Sequence, residues 1–233
     1  MNDTLLAVMV AVVVGAVGGA LAPRVIAVLP EPSDPDDAKG KISYRRLAEV
    51  RGLAPALAVA AAVTCALLAW QVGWSAGLPI WLYVGVVGVA LAYIDWRTRL
   101  LPTRVIAPSY AVVAVLALLA SAFSGDWGAL LTAFLGWLIA GGLFFVLWFI
   151  YPKGMGYGDV RLSGVLGIAL GWLGWAELIV GVYSGFLLGA LGGGLLVLLR
   201  IVDRKRYPFG PFMIVGALVG VLTGPPLAAW YLG

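Results

Sequence analysis

Apolar runs of about twenty residues follow one another along this chain, and that succession leaves it few ways to fold. A run of that length with few charges reads as a membrane-spanning helix. Eight spans are expected, roughly Leu5 to Ala22, Leu53 to Trp70, Leu78 to Ile94, Val105 to Phe123, Ala129 to Ile150, Val160 to Trp175, Leu178 to Leu199 and Phe212 to Leu232. The sixth is short and glycine-rich. It is divided from the seventh at Ala176-Glu177, because Gly171-Trp172-Leu173-Gly174-Trp175 reads as an interfacial turn carrying belt tryptophans. With 63% hydrophobic and 11% charged residues, residues 1–233 read as one all-α polytopic membrane domain. The one long polar interval, Glu31 to Gly52, leaves no room for a soluble second domain; residues 30–52 form a short cytoplasmic loop.

Charge orients the spans. If the N-terminus is outside, the odd-numbered loops are cytoplasmic, and all 15 Lys and Arg residues fall in them or at their edges. They are Arg24, Lys39, Lys41, Arg45, Arg46 and Arg51; Arg97, Arg99 and Arg104; Lys153 and Arg161; Arg200, Arg204, Lys205 and Arg206. Asp3, Asp126 and Glu177 alone are left for the outer face, a strong positive-inside asymmetry that puts both termini outside. No basic residue precedes Arg24, so the first span lacks the charged start of a cleavable signal peptide and is expected to be retained. The pI near 9.3 then reflects orientation and contact with the anionic lipid bilayer, and nucleic acid is not an expected partner.

Residue types exclude several chemistries. Cys65 is the only cysteine and lies in mid-span, and there is no histidine, so a zinc site, an internal disulfide and a His-based triad are not expected. Asp34, Asp36 and Asp37 lie among prolines in a segment that reads as a solvated loop, or as carboxylates that attract a basic substrate; their spacing is not that of an EF-hand. Gly192-Gly193-Gly194 and the small-residue rows from Gly181 to Gly194 suit close helix packing, and the ten tryptophans are mostly membrane anchors.

Two acids remain to be explained: Asp95, after the apolar run Leu78 to Ile94, and Asp159, in Gly154-Met155-Gly156-Tyr157-Gly158-Asp159. Burying a lone carboxylate costs several kcal/mol or forces protonation, so an acid touching the bilayer must be paired, hydrated or useful. The expected topology puts both on the cytoplasmic side. Asp95 ends its helix, where the partial negative charge disfavours an ionised acid; alternatively it is a boundary residue neutralised by Arg97 or Arg99. Asp159 could simply be the N-cap of the helix behind it. Capping alone would not call for Gly154, Gly156 and Gly158 in alternation, which suit positive φ and close approach, as where an extended peptide lies against the acid. Together the acids suggest a mechanism without metal, nucleophile or cofactor. Two carboxyl groups near one water share a proton, one acting as general base on the water and the other as general acid towards a scissile carbonyl and amine. Peptide hydrolysis is the natural assignment.

These residues resemble a known family. Gly154-Met155-Gly156-Tyr157-Gly158-Asp159-Val160-Arg161-Leu162 looks like the GxGD signature of prepilin peptidases, the type IV leader peptidases among the membrane aspartic proteases. Three further segments agree in order and spacing: Asp95 with Leu101-Pro102, Ile42-Ser43-Tyr44-Arg45-Arg46 leading to Glu49, and Pro208-Phe209-Gly210-Pro211-Phe212. The similarity covers about Ile42 to the end. It implies cleavage of type IV prepilin-like or pseudopilin precursors at the cytoplasmic face of a bacterial inner membrane, between a short basic leader and the apolar segment. It also implies that Asp95 and Asp159 are catalytic, with Gly154, Gly156, Gly158, Pro102, Pro208 and Gly210 as motif support. Lys153 and Arg161 flank the second acid and would tune it or meet substrate charge; a purely topological role is an equal reading. The Pro208 to Phe212 segment forms either a re-entrant wall beside the acids or a loop that stiffens the start of the last span.

The chain also departs from the family. Many members carry two Cys-x-x-Cys pairs in the first cytoplasmic loop, forming a zinc subdomain, whereas Pro30 to Gly40 has no cysteine. The family's second activity, N-methylation of the new amino terminus with S-adenosylmethionine, is less expected than proteolysis, because Thr103 stands where an acid or Asn often follows Leu-Pro and Ala20 to Arg24 lacks an Asn. Two readings compete from other classes: a proton-coupled transporter, and a noncatalytic pilus or secretion assembly subunit. The first places its acids at mid-depth and the second has no use for two at one level.

Overall fold

The computed structural model describes residues 3–31, 42–152, 154–200 and 207–232, and among these there is no strand. The order is α1 (Asp3–Ala27), α2 (Tyr44–Ala48), α3 (Leu53–Val72), α4 (Leu78–Thr98), α5 (Thr103–Ser124), α6 (Trp127–Ile150), α7 (Tyr157–Leu173), α8 (Trp175–Leu198) and α9 (Gly210–Leu232). Local signals set the ends. Gly73 and Gly125 close α3 and α5 with φ of 66° and 74°, a region where a side chain would strain the backbone. Asp126 caps α6, its Oδ1 accepting the Ala129 N–H at 2.9 Å.

Among the described residues seven helices are long and apolar enough to cross a membrane, which makes the chain an all-α polytopic membrane protein. The sixth expected span, α7, is not among them: it has 17 residues, about 26 Å at 1.5 Å per residue, short of a hydrocarbon core of about 30 Å. It need not match the bilayer. Helices α4, α5, α6, α8 and α9 all pack on it, and it buries Val160, Leu162 to Leu166 and Ala169 to Gly171. The break between α7 and α8 falls at Gly174, not at Ala176-Glu177 as expected, so Trp175 opens α8 and Glu177 lies in its first turn, where the helix dipole favours an anion. Trp137–Gly141 forms a π-helical turn within α6 that no sequence signal foretold.

Small residues bring backbones together. On α1, Ala7, Ala11, Gly15, Gly19, Ala22 and Ile26 form a buried row against α3, and a Cβ on Gly15 would lie 2.7 Å from Ala62 Cα. On α9, Gly216 and Gly220 face Gly185 and Gly181 of α8, so the small-residue row in that region packs helices as expected. Because lipid is as apolar as leucine, such contacts hold helices together by fit rather than by exclusion of water. A Cβ on Gly216 would stand 2.5 Å from Gly185 Cα and 2.8 Å from Gly181 O, whereas one on Gly194 meets nothing within 4 Å. Gly216→Val should therefore destabilise the bundle by about 1–3 kcal/mol through overpacking. Gly194→Ala should be neutral or stabilising by up to about 1 kcal/mol; thermal unfolding of both variants in detergent checks the contrast.

Candidate active site

Helix α4 carries Asp95 one turn before its end, so the acid is inside the helix rather than terminating it. Arg99 stops the helix in the left-handed region at φ 55°, its N–H donating to the Asp95 carbonyl at 2.7 Å. Pro102 then caps α5, its carbonyl accepting from Val105 and Ile106 at 3.0 and 3.2 Å. This tight turn aims Leu101 inward. Asp95 is 5% exposed, and its Oδ2 accepts the Gly210 N–H at 2.9 Å from 115 residues away.

Gly210 is the first residue of α9, and Phe209 supplies the carbonyl that accepts from Phe212 and Met213. The first four N–H groups of any helix lack intrahelical partners. Here Pro211 has no N–H, and that of Gly210 goes to Asp95. The segment Pro208 to Phe212 therefore leads into the last span and forms its first turn. The re-entrant wall is replaced by a helix N-terminus pointed at the acid, and the negative end of α4 meets the positive end of α9.

Asp159 is the third residue of α7 rather than its N-cap. Its N–H donates to the Gly156 carbonyl at 3.0 Å, and its Oδ2 accepts the Gly156 N–H at 3.2 Å. The carboxylate thus folds back on its own turn, as the acid of a capping box does. It is 8% exposed, and it lies close enough to Asp95 for the two charges to repel. Of the two uses expected of the alternating glycines, positive φ and close approach, the structure shows the second. None of Gly154, Gly156 and Gly158 has positive φ; what they provide is proximity. A Cβ on Gly158 would lie 2.7 Å from Leu101 Cβ, and Gly154 lies under the Tyr151 ring.

Leu101 is the common neighbour. A Cβ on Gly210 would meet Asp95 Oδ2 at 2.9 Å and Leu101 Cδ2 at 3.3 Å, so one leucine touches both the Gly158 turn and the Gly210 turn. Sequence spacing marked Leu101 only as a companion of Asp95. Tyr207 was missed, since an aromatic between a basic run and a proline carries no signal of its own. Its phenol lies within electrostatic reach of Asp159, and burial first, then that carboxylate, push its pKa above the ordinary tyrosine value, which keeps it a neutral O–H at neutral pH.

Arg161 belongs to another cluster. Its Nη1 donates to Thr103 Oγ1, its guanidinium lies 4.5 Å from the Tyr157 ring centroid, and its carbonyl accepts from the Tyr110 hydroxyl at 2.7 Å. Among the described residues it makes no ion pair with Asp159. Lys153 lies outside the described residues, as do residues 32–41 with the acidic part of the loop. Among the described residues no three Cys, Asp or Glu side chains converge as a metal site would require.

Gly210→Ala puts a methyl carbon against Asp95 Oδ2 and should displace that carboxylate, slowing any reaction that uses the pair by about a hundredfold, as misplacement of a reacting group by an ångström does. Rates per folded molecule of Gly210→Ala and wild type, in the peptide assay described below, check this.

Comparison with known proteins agrees with the motif. The model of the type IV leader peptidase family matches residues 81–198, just over half of the chain, which include both acids. The prepilin leader peptidase/N-methyltransferase of Aeromonas hydrophila is 34% identical over 76% of this chain and 58% of its own length. The proteins of the same name from Aeromonas salmonicida and Pseudomonas aeruginosa are 32% and 30% identical, over 62% and 76% of this chain and 49% and 61% of theirs. The chain thus spans about half to three fifths of the length of these curated relatives. No solved structure matches it. On the family match and the shared identity, this chain belongs to the type IV leader peptidase family.

Proposed function

We propose that this protein is a membrane aspartic endopeptidase that removes the leader of type IV prepilin-like or pseudopilin precursors, with Asp95 and Asp159 as its acid and base. The observation that carries the reading is the meeting of the two carboxyls: both buried, drawn from different helices, near enough to repel, and each accepting a backbone N–H. Like charges in such a place are held most cheaply by sharing one proton. The ionised partner takes a proton from a water as that water attacks the scissile carbonyl, and the protonated partner donates to the departing amine. The titration belongs to the pair.

Charge supports cleavage at the cytoplasmic face. The end of the bundle that holds the acids also holds Arg97, Arg99, Arg104 and Arg161, while Asp3, Asp126 and Glu177 lie at the ends of spans away from it. By the positive-inside rule the acids face the cytoplasm of a bacterial inner membrane, where a basic leader would be presented ahead of an apolar helix. A transport site would sit nearer mid-depth. Proteolysis by this pair calls for no cofactor. S-adenosylmethionine would serve only the methylation named in the relatives, to which the proposal does not extend.

The test is cleavage of a synthetic precursor, a basic leader followed by an apolar helix, by purified wild type, Asp95→Asn and Asp159→Asn, with products read by mass spectrometry in the presence of S-adenosylmethionine. Wild type should cut at one bond, and each Asn variant should lose about a thousandfold or more of the rate. Equal cutting by all three would overturn the assignment, and a gain of one CH₂ in the product would add methylation. With one proton shared, kcat/KM of wild type should also fall on both sides of an optimum. On the acid side the base is protonated, and on the alkaline side the acid has lost its proton; a rate independent of pH would contradict the pair.

A further inference from the structure

The hydrogen bond from Gly210 to Asp95 requires the residues around Gly210 to be held in place, and α8 is what holds them. Phe209 fills a notch at Gly189 of α8, where a Cβ would collide with its ring. Tyr207 fills the notch at Gly193, its Cε2 lying 2.7 Å from where a Cβ would stand, and Phe212 fills that at Gly192, its Cε1 also at 2.7 Å. The rings lock together. Phe209 lies 5.9 Å from Phe186 of α8 and 6.0 Å from Phe144 of α6, and Tyr207 lies 6.4 Å from Phe209 and 6.3 Å from Phe212. Three glycines of one helix thus receive the three aromatics that bracket Gly210.

We infer that Gly189, Gly192 and Gly193 are positioning residues: by seating Phe209, Phe212 and Tyr207 they set the depth at which Gly210 meets Asp95, and so the geometry of the acid pair. The inference rests on the reading of Asp95 as catalytic, but its structural half stands apart from it. An added methyl in any notch pushes its ring outward, and the short segment between the notches carries Gly210 with it. Gly194, next in the row, faces open space and seats nothing. A row serving only as a helix interface would have no reason to match the rings of Phe209, Phe212 and Tyr207 one for one.

The experiment compares wild type, Gly189→Ala, Gly193→Ala, Gly189→Ala with Phe209→Leu, and Gly194→Ala, all as the full chain in detergent. Two readouts are taken: kcat and KM on the synthetic precursor per folded molecule, and hydrogen–deuterium exchange of the segment 207–212, whose only amides are those of Tyr207, Phe209, Gly210 and Phe212. Gly189→Ala and Gly193→Ala should lower kcat at least tenfold with KM within twofold, and speed Gly210 exchange at least tenfold. Phe209→Leu lacks Cε2 and Cζ, two of the three ring atoms nearest the new methyl, so the double variant should recover most of both. Gly194→Ala should match wild type. A packing role alone would lower the melting temperature while leaving kcat per folded molecule and Gly210 exchange as in wild type, and that result overturns the inference. Should Gly189→Ala not fold, Gly193→Ala decides by the same criteria. A wild type that fails to cut would refute the peptidase reading, while the exchange data would still show whether the notches hold Gly210.

Discussion

A carboxylate at the edge of a bilayer must be satisfied by water or from within the protein, and Asp95 is met from within by the N-terminal amide of α9. Much of the fold follows from that one bond. An amide of a helix interior is already engaged whereas those of a helix start are free to donate, and the start that meets Asp95 lies at the level of the acid. The last span thus begins beside the last turn of α4, although four helices intervene along the chain. Proline at the second position of α9 suits this arrangement, because it removes a donor that would otherwise also need a partner.

Close approach of backbones makes the arrangement compact enough. Gly158 and Gly210 press on the same leucine, and a side chain on either would push its turn away from Leu101. The same device recurs deeper in the bundle, where Gly136 of α6 meets Gly167 of α7 and Gly216 of α9 meets Gly185 of α8. These contacts fix the relative heights of the helices, and heights decide whether two acids on different spans come level. Two ionised carboxylates repel, so the packing of the helices that carry them has to hold them level even when no proton is shared.

The sequence made much of this legible. Run length and hydropathy placed α3 at Leu53 and α4 at Leu78, where the structure begins them, and the acids at one end followed from alternation of the spans. What hydropathy could not see was the extent of helices into polar residues. Helix α1 continues through Pro23 and Arg24 to Ala27, and α4 continues past Asp95 to Thr98, since helix hydrogen bonding does not stop at the membrane surface. The role of the glycines was only half legible for a related reason. Gly156 and Gly158 suited both unusual φ and close approach, but which of the two a glycine serves depends on what stands opposite, and Leu101 lies more than fifty residues away. Tyr207, Gly189 and the π turn in α6 were invisible because each has meaning only through a partner on another helix.

The family match ends at residue 198, before the amide that meets Asp95 and before the phenol near Asp159. The acids alone are thus not the whole site. Asp95 is braced from the other side as well: Tyr93, two residues earlier, donates its hydroxyl to the Leu47 carbonyl of α2 at 3.1 Å, and Ile94 is buried with Tyr44, Leu47 and Leu57. The last turn of α4 is thereby held between an amino-terminal layer of α1, α2 and α3 and, on the carboxy-terminal side, the start of α9, which α8 packs against in turn. Each layer fixes a different degree of freedom. The first pins the helix through its side chains, which sets its rotation, and the second sets the carboxylate itself through a backbone donor whose position no side-chain substitution at that residue other than glycine can preserve. A site built this way tolerates change in the loops between layers far better than change in the small residues that let the layers close, because a loop can lengthen at little entropic cost whereas a single added methyl moves a helix.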